Sequence, residues 1–422
     1  MHPALSQVTL GYSPMIDRQR AVIATRLTVF PERPDAALDA GALLAALAEV
    51  WPAPAAGAAP PGPRPTIRPL DPGAVGVRGA ARPLVTLNIA GEAALQAVMA
   101  ATPGPQLMLE IPAFMAADPA HADALVALQQ RGSVLLIKGR PTRALDPAVL
   151  GCFSHSIVDL GDERRGADAP APGVRQVTTV QAGVRTSAEL EAAFKRGSVA
   201  VLGWTFDDDA PRPSGGRSQV PPDLQVVLEL INGVEREEPV ARLEALLKRD
   251  PTLAYRLMRY LNSPAFGLSV EVNSFGHAVM LLGYGRLKRW LALLLASSSK
   301  DPNAKSTMYA AVRRGLLMEE LGRAQGDAET RSEMFICGVF SLLDRLLRQP
   351  MAELLDSVPV AERVRLALLG EGGPYHPYLE LVRAVESEDV FDIRECAEKL
   401  LLAPGDVSSA VLASLRSARQ VD

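Results

Sequence analysis

The chain has 422 residues, which at roughly 150 residues per domain predicts two or three domains. Apolar residues make up 48% and charged residues 22%, a globular balance that excludes wholesale disorder. With 44 basic against 48 acidic residues and a net charge of -4, no general attraction to nucleic acid or anionic membrane is expected. The three cysteines, Cys152, Cys337 and Cys396, lie far apart and form no CxxC pair, so neither a disulfide framework nor a zinc site is indicated. The first residues, MHPALSQVTLGYSP, lack the basic-then-apolar pattern of a secretory leader, and Ala278–Ala296 is interrupted by Gly283, Gly285, Arg286, Lys288 and Arg289. A cytoplasmic protein with no membrane partner is the expectation.

In chain order, Ala21–Phe30, Leu84–Ile89, Gln106–Ile111, Val134–Ile137, Ser156–Leu160, Gln176–Val180 and Ala200–Leu202 read as strands. Between them Gly41–Val50, Gly91–Ala100, Ala120–Arg131, Pro147–Gly151 and Ser187–Arg196 read as helices. Strands separated by helices imply βαβ units and a (β/α) barrel of about seven repeats, complete or partial. Trp51–Pro72 holds eight prolines and is expected to be an irregular excursion. Thr205–Gln219 turns polar, acidic and then Pro/Gly/Ser-rich, which marks a linker.

Beyond the linker the 3.6-residue period takes over. Helices are expected at Asp223–Gly233, Val240–Arg249, Thr252–Asn262, Phe275–Leu282, Arg286–Ser297, Lys305–Ala324, Arg331–Leu347, Val360–Leu369, Pro377–Ser387 and Phe391–Leu402. The reading is therefore α/β followed by all-α, with residues 1–205, a linker at 206–219, and 220–422. No GxxxxGK[ST], GxGxxG or GxSxG occurs, so phosphate-loop, dinucleotide and serine-hydrolase chemistry has no anchor.

The second half resembles the HDOD domain. The resemblance is carried by the run Asp250–Met258, the turn Asn262-Ser263 to Phe266-Gly267, the helix holding Ser274, Ala278, Leu282 and Gly283, and Arg286-Leu287. HDOD domains resemble HD phosphohydrolases stripped of their metal site. Cys337–Leu347 is similar to the helix that bears the His-Asp doublet, and that position reads Ser341-Leu342. The resemblance thus implies a protein-interaction platform with no hydrolase chemistry, in which Asp344 is a solvated helix residue.

The first half resembles a degenerate EAL domain, a cyclic-di-GMP phosphodiesterase barrel. QRAVIATRLTVF, LVTLNIAGEAAL, LMLEIPAFM and GVRTSAELEAAFKRGSVAVLGWTF carry the likeness in order. Such barrels hold divalent cations on several oxygen ligands at the strand C-termini. Here the signature Glu-x-Leu reads Thr25-Arg26-Leu27, and Asn88 and Glu110 stand at two ligand positions. Lys138-Gly139-Arg140 replaces paired aspartates, Ile157 replaces the catalytic lysine before Asp159, and Arg185 replaces a late glutamate.

Cations where a metal needs oxygen donors predict neither metal nor cofactor and no phosphodiesterase activity. The expected function is a noncatalytic signalling adaptor whose partners are other signalling proteins, a homo-oligomer being compatible and nucleic acid not. The alternative is a metal-independent sensor in which Arg26, Asn88, Glu110, Lys138, Arg140 and Arg185 gather around cyclic-di-GMP or another anion.

Overall fold

The computed structural model describes residues 3–33, 38–52, 84–104, 107–141, 143–161, 177–208, 222–247, 249–250, 275–296, 304–324 and 326–421. Most of the proline-rich excursion, the body of the linker, and the HDOD-like runs at 251–274 lie outside the described residues. The chain divides into two units. Met1–Asp208 with Arg383–Leu412 form the first, and Asp209–Val382 with Ala413–Asp422 form the second.

The first unit is a closed barrel of eight strands: β1 (Val8–Ile16), β2 (Val22–Pro31), β3 (Leu84–Ile89), β4 (Leu107–Pro112), β5 (Val134–Lys138), β6 (Phe153–Asp159), β7 (Thr178–Ala182) and β8 (Ala200–Leu202). β1 runs antiparallel to both β2 and β8, and all other neighbours are parallel. Seven strands lie where the sequence pattern places them, shifted by no more than three residues at either end. β1 is the addition. It contains Gly11 and Pro14, and barrel strands buried on both faces show no polar alternation to betray them.

Side chains alternate between the lumen and the outer face. Met15, Ala24, Met108, Leu136, Ile157, Val180, Ala182, Ala200 and Leu202 meet inside and seal the floor of the lumen with apolar groups. Short helices cover the outside, and three of them are started by a side-chain cap. Asp39 caps Ala40–Val50, and Asp146 caps Pro147–Cys152 with proline in the first turn. Thr186 and Glu189 form a reciprocal capping box on Ser187–Lys195.

The C-terminal segment 383–412 belongs to this barrel unit, a difference from the single 220–422 domain expected from sequence. Its attachments are specific. The Trp204 indole N–H donates to Glu386 O (3.0 Å), and Ser408 Oγ donates to Val8 O (2.7 Å). Arg394 reaches Glu32 (3.3 Å). Periodicity could place the helices here but not say against which partner they pack.

The second unit is helical, as expected. Its described α-helices are Pro222–Glu235, Val240–Leu247, Phe275–Ala296, Ala304–Leu321, Ala328–Phe340, Leu343–Leu347, Met351–Ser357, Glu362–Leu369, the start of His376–Ser387 and the end of Pro404–Val421. Gly283, at φ +69°, kinks Phe275–Ala296, so the stretch is two helices joined at this glycine. The single helix expected over Arg331–Leu347 is broken at Ser341 and Leu342.

Candidate functional site

The parallel strands end in a polar layer directly above the apolar floor. Parity along β2 turns Ala24, Arg26 and Thr28 inward and Thr25 outward, because successive side chains point to opposite faces. The inward position of the signature is therefore occupied by Arg26, one residue beyond the Thr25 expected from sequence. Its guanidinium grips Glu110 with two bonds, Nε to Oε1 at 2.9 Å and Nη2 to Oε2 at 2.7 Å. Glu110 is fully buried and also accepts from Thr86 Oγ (3.1 Å). A bidentate, desolvated pair of this kind uses most of the lone-pair capacity that a cation would need.

Lys138 donates to Asn88 Oδ1 (2.8 Å), and the Asn88 amide donates to Thr28 Oγ (3.1 Å). The two ligand-type residues retained in the sequence, Asn88 and Glu110, are thus each engaged by a protein cation. Burial would depress the Arg26 guanidinium, but Glu110, Glu388 and, more weakly, Asp159 outweigh it and hold its pKa above the ordinary arginine value. Lys138 goes the other way. Desolvation by the barrel walls, and then the charge of Arg26, pull its ammonium below the usual lysine value although one flank stays exposed.

Asp159 stands exposed at the end of β6 and accepts from the Gly161 N–H (2.7 Å). Gly183 lies against it at φ +76°, and a Cβ there would come within 2.8 Å of Asp159 Oδ2, so any other residue would strain the backbone and displace the carboxylate. Ile157, which the resemblance aligns with a catalytic lysine, is part of the apolar floor.

Of the six residues named from sequence, Arg26, Asn88, Glu110 and Lys138 come together. Arg140 is exposed in the loop beyond Gly139, and Arg185 points to Asp207 at 2.7 Å with most of its side chain in solvent. The four-cation cluster expected for an anion sensor is therefore two cations, Arg26 and Lys138. Sequence reasoning missed Ser13, Thr28, Thr86 and Glu388. Two-residue spacing from Arg26 and Asn88 signals Thr28 and Thr86, whereas no local signal marks the other two.

In the helical unit the position of the doublet is equally closed. Arg314 is buried and donates to Ser341 Oγ (3.0 Å), which itself donates to Gly338 O (2.7 Å). Asp344 is half-buried, not solvated as expected. Desolvation raises its carboxyl above the ordinary aspartate value, with Arg345 and Arg314 opposing. Among the described residues no group of three His, Cys, Asp or Glu side chains is placed to hold a metal ion. A separate cavity of about 370 Å³ has Ile231, Ala292 and Ile336 in its wall and Glu237, Glu329 and Glu333 among its polar residues.

Residues 220–353 match the family described as HDOD domain. The chain carries an HDOD domain. Two curated relatives share part of the sequence. The uncharacterized protein YuxH of Bacillus subtilis (strain 168) is 32% identical over 224 residues, 51% of this chain and 53% of the relative. Cyclic di-GMP phosphodiesterase CdgJ of Vibrio cholerae serotype O1 is 26% identical over 241 residues, 57% and 55%.

The chain spans about half the length of these relatives. A standalone EAL protein from Vibrio cholerae O395, solved with c-di-GMP bound, aligns at 16% identity and a TM-score of 0.29, covering 48% of this chain and 91% of that one. The order of parts is a closed eight-stranded barrel followed by the region that matches the HDOD domain. Among the described residues no helix is long and apolar enough to cross a membrane.

Proposed function

We propose that this chain is a noncatalytic member of cyclic-di-GMP signalling that acts through protein contacts, its HDOD domain serving as the platform for other signalling proteins. The carrying observation is the bidentate Arg26–Glu110 pair, which puts a fixed guanidinium where metal-assisted hydrolysis would need open oxygen ligands. CdgJ is named a phosphodiesterase. In this chain Arg26, Lys138 and Ile157 occupy positions at which such chemistry needs carboxylates and a lysine, so that activity does not carry over. In the HDOD domain, Arg314 and Ser341 fill the doublet position in the same way.

Titration of the protein with Mg²⁺ or Mn²⁺ is expected to give no binding heat, and incubation with cyclic-di-GMP and either ion no linear product. Metal-dependent turnover would overturn the reading. The sensor alternative keeps Arg26 and Lys138 in one place but loses Arg185 to Asp207, which makes it the weaker reading.

A further inference from the structure

One carboxylate in the barrel mouth comes from the far end of the chain. Glu388 sits in the turn between helices His376–Ser387 and Val390–Lys399, at φ +55°, a conformation that residues with a Cβ seldom adopt. Asp389 follows it and caps the next helix by accepting from the N–H groups of Phe391 and Asp392. The turn presents the Glu388 side chain to the lumen. Its Oε1 accepts from Ser13 Oγ (2.7 Å) and its Oε2 from Arg26 Nη1 (3.2 Å). The backbone of the turn rests on β1, where a Cβ on Gly11 would lie 3.1 Å from both Glu388 Cα and Val385 O.

We propose that Glu388 is a built-in ligand of the barrel: it fills an anion subsite made by Ser13 and Arg26, and it bars carboxylate- or phosphate-bearing small molecules from the mouth until segment 383–412 lifts. The donors that hold it, a hydroxyl and a guanidinium edge, are those that would hold a phosphate oxygen. The charge balance points the same way. With Glu388 seated, the carboxylates of Glu110, Asp159 and Glu388 face the cations Arg26 and Lys138, so an incoming anion is repelled. Withdrawal of Glu388 leaves two of each sign and frees one Arg26 nitrogen. The inference rests on the reading that no metal occupies this mouth.

Two variants of the full chain separate the carboxylate from the seat. Glu388→Gly removes the carboxylate and suits the left-handed turn, while Gly11→Val keeps Glu388 but wedges the turn away from β1. The probes are cyclic-di-GMP and inorganic pyrophosphate, titrated calorimetrically in EDTA, with hydrogen exchange read over Val390–Lys399. Both variants are expected to bind at least one probe tenfold or more tighter than the unmodified chain, and Gly11→Val to exchange faster over that helix. Equal affinity of Glu388→Gly and the unmodified chain for both probes would overturn the proposal. Because EDTA excludes metal chemistry, hydrolysis of cyclic-di-GMP seen separately with Mg²⁺ would remove the noncatalytic reading without standing in for this result.

Discussion

Arg26 couples the polar layer of the barrel to its stability. Its removal would strand Glu110, which is fully buried and would keep only the Thr86 hydroxyl as a donor. Breaking a buried pair from one side typically costs about 3–5 kcal/mol, whereas replacing both partners with apolar groups is far milder. Arg26→Ala is therefore expected to lose about that much in urea denaturation, with Arg26→Met plus Glu110→Leu recovering most of it. A loss below about 1 kcal/mol for the single variant would place the pair in effectively aqueous surroundings.

Asp344 offers a test of opposite sign in the HDOD domain. Burial holds its folded pKa above the ordinary aspartate value, so in the window between the two values the folded protein holds a proton that the unfolded chain has released. Stability falls as pH rises through that window, and the loss persists to neutral pH. Asp344→Asn is expected to raise stability near pH 7 and to have little effect below about pH 3; a variant that destabilises at neutral pH would reverse the assignment. At this scale the sequence was informative about chemistry but not about facing. The resemblance implies that an acid is replaced on β2, while only the register decides that residue 26, and not 25, looks into the lumen.

Elements were the most legible level, because strand and helix periods are written locally and caps such as Thr186 with Glu189 carry their own signature. What periodicity cannot show is how closely two elements approach. Helices Ala304–Leu321 and Ala328–Phe340 touch backbone to backbone. A Cβ on Gly338 would stand 2.5 Å from Arg314 O and 2.6 Å from Gly315 N, and one on Gly315 would meet Phe335 O at 2.9 Å. The glycines read in sequence as weak points of a helix, yet here they allow the approach that positions Arg314 over Ser341. Gly338→Ala must push the two helices apart and is expected to cost about 1–3 kcal/mol, as overpacked sites do. Thermal unfolding of the full chain measures it, and an unchanged midpoint would mean that the helices separate freely.

For the whole molecule, the discontinuity of the first unit was the feature least visible in the sequence. Ser13 and Glu388 are 375 positions apart and Arg26 and Glu388 are 362 apart, so no local pattern could join them. Such contacts close an enormous loop and reward the chain only after both ends are ordered. The barrel must therefore present Gly11, Ser13 and Trp204 as a surface ready to receive residues 383–412. A fragment of residues 1–208 should bind a synthetic peptide of residues 383–412, because the attachments run through Val8, Ser13, Arg26, Glu32 and Trp204, all within the fragment. Binding to the folded state alone adds RT ln(1 + [L]/Kd), so the melting temperature of the fragment should climb with peptide concentration, by roughly 1.4 kcal/mol of stability for each tenfold excess over Kd. A peptide carrying Glu388→Gly should need a higher concentration for the same rise. If the native peptide leaves the melting temperature unchanged, or does no more than a scrambled one, residues 383–412 are not part of the barrel's folding unit.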